Sequence, residues 1–170
     1  MISIPAGTIK LWPDFCMLVP EQIILREGTI YHLTGNNGSG KSSLIRNYLL
    51  GYESREPVYR LYFEQQMTAQ MSAVRAFAAF GGARSRVHSE EDVVNILLED
   101  LACCMAIEPR PVWVFVDESR YLDRILCHPG LVVASKLVVF CEHGNRRSGC
   151  ERLSCRALAP DMSELRYGGD

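Results

Sequence analysis

Residues Gly35-Asn36-Asn37-Gly38-Ser39-Gly40-Lys41-Ser42 spell G-x-x-x-x-G-K-S between an apolar stretch at 29–34 and a helical one at 43–50. The context narrows the fold, because a strand running into a glycine-rich turn and out into a helix is a βα unit. Glycines let the loop curl so that successive N–H groups point inward at phosphate oxygens. The helix then turns the positive end of its dipole toward the same anion. Lys41 is placed to neutralise the β- and γ-phosphates, and Ser42 to offer its hydroxyl to Mg²⁺. The expectation is a nucleoside triphosphate site.

The rest of the chain reads as one α/β domain. Its 170 residues suit a single core, 48% are apolar, and the net charge of −2 carries no nucleic-acid footprint. No apolar run approaches the roughly 18 residues that span a bilayer. The first cation is Lys10, so no basic cluster opens the chain and no secretory signal is expected. Seven cysteines without a C-x-x-C pair read as free buried thiols in a reducing cytosol. Cys141, His143, Cys150 and Cys155 could ligate zinc, but their spacing matches no common zinc module.

Residues 9–11, 15–19 and 23–25 read as short strands broken by turn signals, and 30–34 as the strand entering the loop. After the loop, Leu44, Ile45, Tyr48 and Leu49 make one helical face. A strand is expected at 58–63 and helices at 67–80 and 89–107, the second with a serine cap and acids on its positive end. Residues 111–116 and 137–140 lack polar alternation and should be strands buried on both faces. A last strand is expected at 153–158, and the final dozen residues carry little pattern and are expected to fray. The fold class is an α/β three-layer sandwich with a mostly parallel sheet and a small N-terminal antiparallel β region.

The buried strand at 111–116 leads into Asp117-Glu118. Carboxylates leaving the C-terminal edge of an apolar strand lie where open α/β sheets bind ligands. Asp117 is suited to hold Mg²⁺, and Glu118 to polarise a water for in-line attack on the γ-phosphate. Read without the loop, the pair would be merely the polar start of a turn.

The loop, the strand ending in Asp117-Glu118 and the strand ending near His143 are together similar to the nucleotide-binding subunits of ATP-binding-cassette (ABC) proteins. The lead-in Glu27-Gly28-Thr29-Ile30 and the run from Asn37 through Ser43-Leu44 resemble theirs almost position by position. The resemblance implies a P-loop ATPase fold, Mg-ATP as ligand, and contacts from the loop through Ser43. It implies that Trp12, with Phe15 as the spare, stacks on the adenine, although edge-strand packing explains an indole there equally well. Gln65 or Gln66 would sense Mg²⁺ and the attacking water, Leu122-Asp123 would couple two halves of a homodimer, and His143 would contact the γ-phosphate. Location would be cytoplasmic, peripheral at the inner membrane face if a permease subunit is the partner.

Two departures stand out. No L-S-G-G-Q segment precedes the second nucleotide strand; the corresponding helix begins His88-Ser89-Glu90-Glu91-Asp92, whose three acids would repel a polyphosphate, and Phe80-Gly81-Gly82-Ala83-Arg84 lies too far upstream. The helical subdomain that docks membrane partners is abbreviated. Four functions follow: an ATPase energising a transport complex, with the subunits of haem export in cytochrome c maturation nearest in length; a soluble ATP-gated dimerising module; a small-molecule P-loop kinase with Arg84 and Arg86 as a phosphate clamp; and an ATP-binding subunit without turnover.

Overall fold

The two uninterrupted apolar runs become the centre of the sheet. In the computed structural model, which describes residues 1–80, 87–132, 136–142 and 148–168 (backbone alone at 77–80, 130 and 132), β7 (Val112–Asp117) is buried throughout. β8 (Lys136–Cys141) is buried but for its first residue. Their side chains alternate between two cores. Trp113, Phe115, Leu137 and Val139 pack with Leu44, Ile45 and Leu49 on one face. Val112, Val114, Val116, Val138 and Phe140 pack on the other, against Val94, Leu98 and Leu101 of α3 (Glu90–Ile107) and Leu122 and Ile125 of α4 (Leu122–Leu126). A strand apolar at every position is the pattern that two covered faces require, and the three layers follow from it.

The remaining strands are β1 (Ile2–Ile4), β2 (Gly7–Trp12), β3 (Phe15–Val19), β4 (Ile23–Leu25), β5 (Ile30–Thr34), β6 (Tyr59–Phe63), β9 (Glu151–Ala159) and β10 (Met162–Tyr167). Eight strands form one sheet in the order β2-β3-β10-β9-β5-β8-β7-β6, and β1 pairs with β4 in a separate antiparallel ribbon. From β9 through β6 every neighbour pair is parallel. β8 stands between β5 and β7, with Leu33 beside Cys141 and Cys141 beside Asp117. The phosphate loop at the end of β5 and the acids at the end of β7 therefore leave the same sheet edge, two strand spacings or about 10 Å apart.

Several local expectations are met. α2 (Thr68–Phe80) occupies its predicted segment, and α3 begins with Ser89 as cap: the Ser89 side chain accepts from the Asp92 N–H while the Asp92 carboxylate accepts from the Ser89 N–H. The helix after the loop is α-helical only over Lys41–Leu44; Ile45–Leu49 widens into a π turn closed by Leu50 N–H donating to the Ile45 carbonyl at 3.0 Å. A short α5 (Pro129–Val132) leads toward β8.

Three expectations are corrected. The small N-terminal antiparallel region is present as the β1–β4 pair, but the second antiparallel pair, β2–β3, belongs to the main sheet. Of the final dozen residues, Met162–Tyr167 do not fray: they form β10, which lies between β3, to which it is parallel, and β9, to which it is antiparallel. Its polar composition hid it, because Ser163 and Glu164 occupy buried positions and only Leu165 is a fully buried hydrophobe. The thiols, finally, are not uniformly buried: Cys141 and Cys155 are, whereas Cys103, Cys104 and Cys127 are exposed.

Since β10 joins the β2–β3 pair to the rest of the sheet, Leu165→Ala is expected to cost about 2–5 kcal/mol, read as a lower midpoint in urea unfolding. A change below 1 kcal/mol would mean that the terminal strand is dispensable.

Candidate functional site

The loop is held in shape by its own lysine. Lys41 Nζ donates to the carbonyls of Gly35 at 2.9 Å and Asn36 at 3.1 Å, and lies 3.7 Å from Glu118 Oε1. Only 6% of Lys41 is exposed. An ammonium group removed from water needs such partners, and here they close 35–41 into a ring. Ser39 N–H donates to the Asn36 carbonyl at 3.1 Å and tightens the turn.

Two glycines are required for different reasons. Gly35 has φ +146°, and a Cβ there would lie 2.2 Å from the Cys155 carbonyl oxygen and 2.6 Å from Ser39 Oγ. Gly40 has φ +87°, and a Cβ would meet the Phe15 ring at 2.9 Å. The first lets β5 turn away beside β9, and the second lets the β2–β3 turn lie on the loop.

The acids lie against the loop. Ser42 Oγ donates to Asp117 Oδ1 at 2.9 Å. Gln65 Nε2 donates to Glu118 Oε2 at 2.8 Å, so the structure joins Gln65, of the two adjacent glutamines, to the acidic pair. Glu118 has φ +53°, a left-handed conformation that costs a non-glycine residue roughly 1–2 kcal/mol. Its N–H donates to the Cys141 carbonyl at 3.1 Å, which holds the turn.

Two residues that sequence reasoning passed over complete the support. Arg46 Nε donates to the Tyr62 hydroxyl at 2.7 Å, and Tyr62 in turn donates to Asp117 Oδ2 at 3.5 Å. Burial pushes the Tyr62 phenol up to about 12, so it remains a donor at neutral pH. Asp117 is 1% exposed and stands behind Ser42 with both oxygens engaged. Nothing in the sequence distinguished Tyr62 from an ordinary strand aromatic.

In front of them opens a cleft of about 650 Å³ lined by Asn37 through Ser43 on one side, Gln65 and Glu118 on another, and Trp12, Phe15 and Pro160 at the rim, with Asp117 behind Ser42 rather than on its wall. That volume falls in the range of small-ligand sites. Trp12 Nε1 donates to Ser43 Oγ at 3.0 Å while 47% of the residue stays exposed. Gly35 and Asn36 contribute their carbonyls to Lys41 rather than a wall to the cleft. His143 lies outside the described residues, as do Gly81, Gly82, Ala83, Arg84 and Arg86.

The acids at the start of α3 do not stand as free negative charge. The Asp92 carboxylate accepts from the N–H groups of His88 and Ser89, both at 2.9 Å. Glu90 pairs with Arg120 at 3.0 Å and Glu91 with Arg124. The expected repulsion of a polyphosphate is thereby offset by arginines that follow Glu118.

The residues fit a divalent cation with a polyphosphate. Ser42 and Asp117 supply hard oxygen donors, and two carboxylates against one ammonium leave a negative balance that a triphosphate alone would worsen. The loop makes a testable distinction between its glycines. Gly38 has φ +76° with no neighbour within 4 Å of a Cβ, so Gly38→Ala should cost about 1 kcal/mol, or roughly 2–4 °C in Tm. Gly35→Ala adds a collision with backbone and should lower Tm by at least twice as much. Equal shifts would show that the loop does not hold this shape.

No protein-family model and no curated protein matches the chain. Among solved structures it is similar to a chain in a structure of Drosophila ORC bound to DNA, at TM-score 0.41 and 17% identity, over 78% of this chain and 38% of that one. The chain thus spans well under half the length of that protein, and a likeness so low carries no argument about function. The strand–loop–helix unit, the mixed sheet and the acids at the end of β7 are compatible with a P-loop NTPase-like fold.

Proposed function

We propose that the chain binds Mg-ATP and hydrolyses it as an ABC-type ATPase. The observation that carries the reading is the Ser42–Asp117 hydrogen bond of 2.9 Å, which brings the phosphate loop and the acidic couple into one site. In this reading the loop amides and Lys41 hold the β- and γ-phosphates, and the Lys41 ammonium turns from loop carbonyls to phosphate oxygens. Ser42 and Asp117 would hold Mg²⁺, with Gln65 beside them; the ion supplies charge neutralisation along the triphosphate. Glu118 accepts a proton from the attacking water, and Gln65 keeps its carboxylate oriented. Trp12 stacks on the base at the rim.

Hydrolysis is preferred here over transfer to a second substrate because Glu118, 3.7 Å from the loop ammonium, is suited to activate a water beside a phosphate that Lys41 would hold. By the ABC resemblance the working unit is a homodimer, with Asp123 near the junction and His143 at the γ-phosphate. A membrane permease partner, and a haem-export role in particular, rest on the same resemblance. No described helix is long and apolar enough to cross a membrane, so a transport role would place the chain as the energising subunit.

Lys41→Ala is expected to abolish ATP binding in a titration calorimeter. Glu118→Gln should keep binding while slowing phosphate release a hundredfold or more, the usual weight of a general base. Run with size-exclusion chromatography, the same variant should accumulate as an ATP-bound dimer. Unchanged turnover in Glu118→Gln would remove its assigned role, and ATP trapped on a monomer would remove the dimer.

Tyr62→Phe deletes one donor to Asp117 without touching the loop. Its half-saturating Mg²⁺ should rise roughly tenfold, as expected when an outer partner of a metal-holding carboxylate is lost, with kcat recovered at saturating Mg²⁺. A loss of kcat that Mg²⁺ does not restore would assign Tyr62 elsewhere.

A further inference from the structure

The Trp12 indole does more at this cleft than offer a ring. It closes β2, where the pairing with β3 slips between Lys10 and Trp12: Lys10 stands opposite Cys16, and Trp12 opposite Phe15. Such a bulge re-aims the side chain that follows it. Leu11 turns into the core at 6% exposure, and Trp12 reaches across to the first turn after the phosphate loop. There its N–H meets Ser43 Oγ at 3.0 Å. The approach is fixed twice, since the neighbouring Phe15 ring packs on Gly40, where a Cβ would lie 2.9 Å from it.

An indole nitrogen is a donor only, whereas a serine hydroxyl has one proton and two lone pairs. Ser43 therefore accepts from Trp12, and its single proton is left to donate. Early in a helix a serine hydroxyl readily spends that proton on a nearby backbone carbonyl. With the indole occupying one side of the oxygen, and Ser43 on the wall of the cleft beside Lys41 and Ser42, the proton has the cleft to point into. A hydroxyl that accepts one hydrogen bond also donates a stronger one.

We infer that Trp12 is a positioning residue for the polyphosphate: through its N–H it holds the Ser43 hydroxyl as a donor to a phosphate oxygen, joining the rim of the cleft to its anion cradle. This rests on the nucleotide-binding reading above and deepens it. Stacking on a base and orienting a hydroxyl are separable, because the first needs the ring and the second needs only the N–H.

The experiment compares ATP with inorganic tripolyphosphate, which has no base, in the presence of Mg²⁺. Binding of each is measured by calorimetry for the full-length wild type, Trp12→Phe, Ser43→Ala and the double variant. Trp12→Phe retains an aromatic face and removes the donor. It should weaken tripolyphosphate about tenfold, the weight of one oriented hydrogen bond to a charged oxygen. Ser43→Ala should weaken it to the same extent, and the double variant no further, because the two residues act as one unit. Trp12→Phe that binds tripolyphosphate like the wild type would overturn the inference while leaving nucleotide binding intact. Additive losses in the double variant would overturn it too. A wild-type chain that takes up neither ligand would overturn the nucleotide reading itself, and this inference with it.

Discussion

The contact between Ser42 and Asp117 joins two parts of the chain that lie 75 residues apart. One belongs to a loop shaped by glycines and closed by its own lysine; the other ends a strand buried on both faces. At 2.9 Å the hydroxyl donates to the carboxylate across the mouth of β8, whose last residue, Cys141, pairs with Leu33 on one side and Asp117 on the other. Were β7 beside β5, the acids would crowd the loop; one strand farther, Ser42 could not reach. Strand order therefore sets the spacing between cradle and acids, and the hydrogen bond reports that the spacing is right.

Around that contact, charge is arranged so that little of it is left alone. Lys41 sits between two carbonyls and Glu118. Asp117 takes donors from Ser42 and, through Tyr62, from Arg46. Glu118 has Gln65 on one oxygen and the lysine near the other. Burial of Lys41 and Asp117 makes their interactions stronger and each omission costlier. The strained backbone at Glu118 belongs to the same economy: the turn aims a carboxylate at the loop and is kept by a hydrogen bond to Cys141.

The terminal strand has the largest indirect effect on the site. β10 lies between β9, which runs beside the loop strand, and β3, which carries Phe15. It brings the β2–β3 ribbon into the main sheet, where the turn between those strands rests against Gly40 and Ser43. Its pairing with β3 adds to the contacts of Trp12 with Ser43 and Phe15 with Gly40 that set these rings at the cleft. The turn before β10 contributes Pro160 to the rim. A segment of mixed polar residues thus decides where an aromatic wall stands.

What could be read from the residues alone was local. The loop, its flanking strand and helix, the doubly buried strands and the serine-capped helix declare themselves because their physics acts within a few residues: backbone conformation, periodicity, capping. The acids were legible as a pair because they end an apolar run. What needed the folded chain was every contact across long separations, with Ser42 and Asp117 75 residues apart, Gln65 and Glu118 53, and Trp12 and Ser43 31. Gln65 and Gln66 are chemically identical in the sequence, and only the path of the chain after β6 selects one. Nothing local singles out Tyr62 or Arg46, and only the folded sheet sets the Tyr62 hydroxyl between Arg46 and Asp117. β10 stayed hidden because its buried positions hold Ser163 and Glu164, and a strand that draws its place from hydrogen bonds to two neighbours leaves no hydrophobic period to find. Propensity is written along the chain, whereas pairing is chosen between strands, and that choice completes the site.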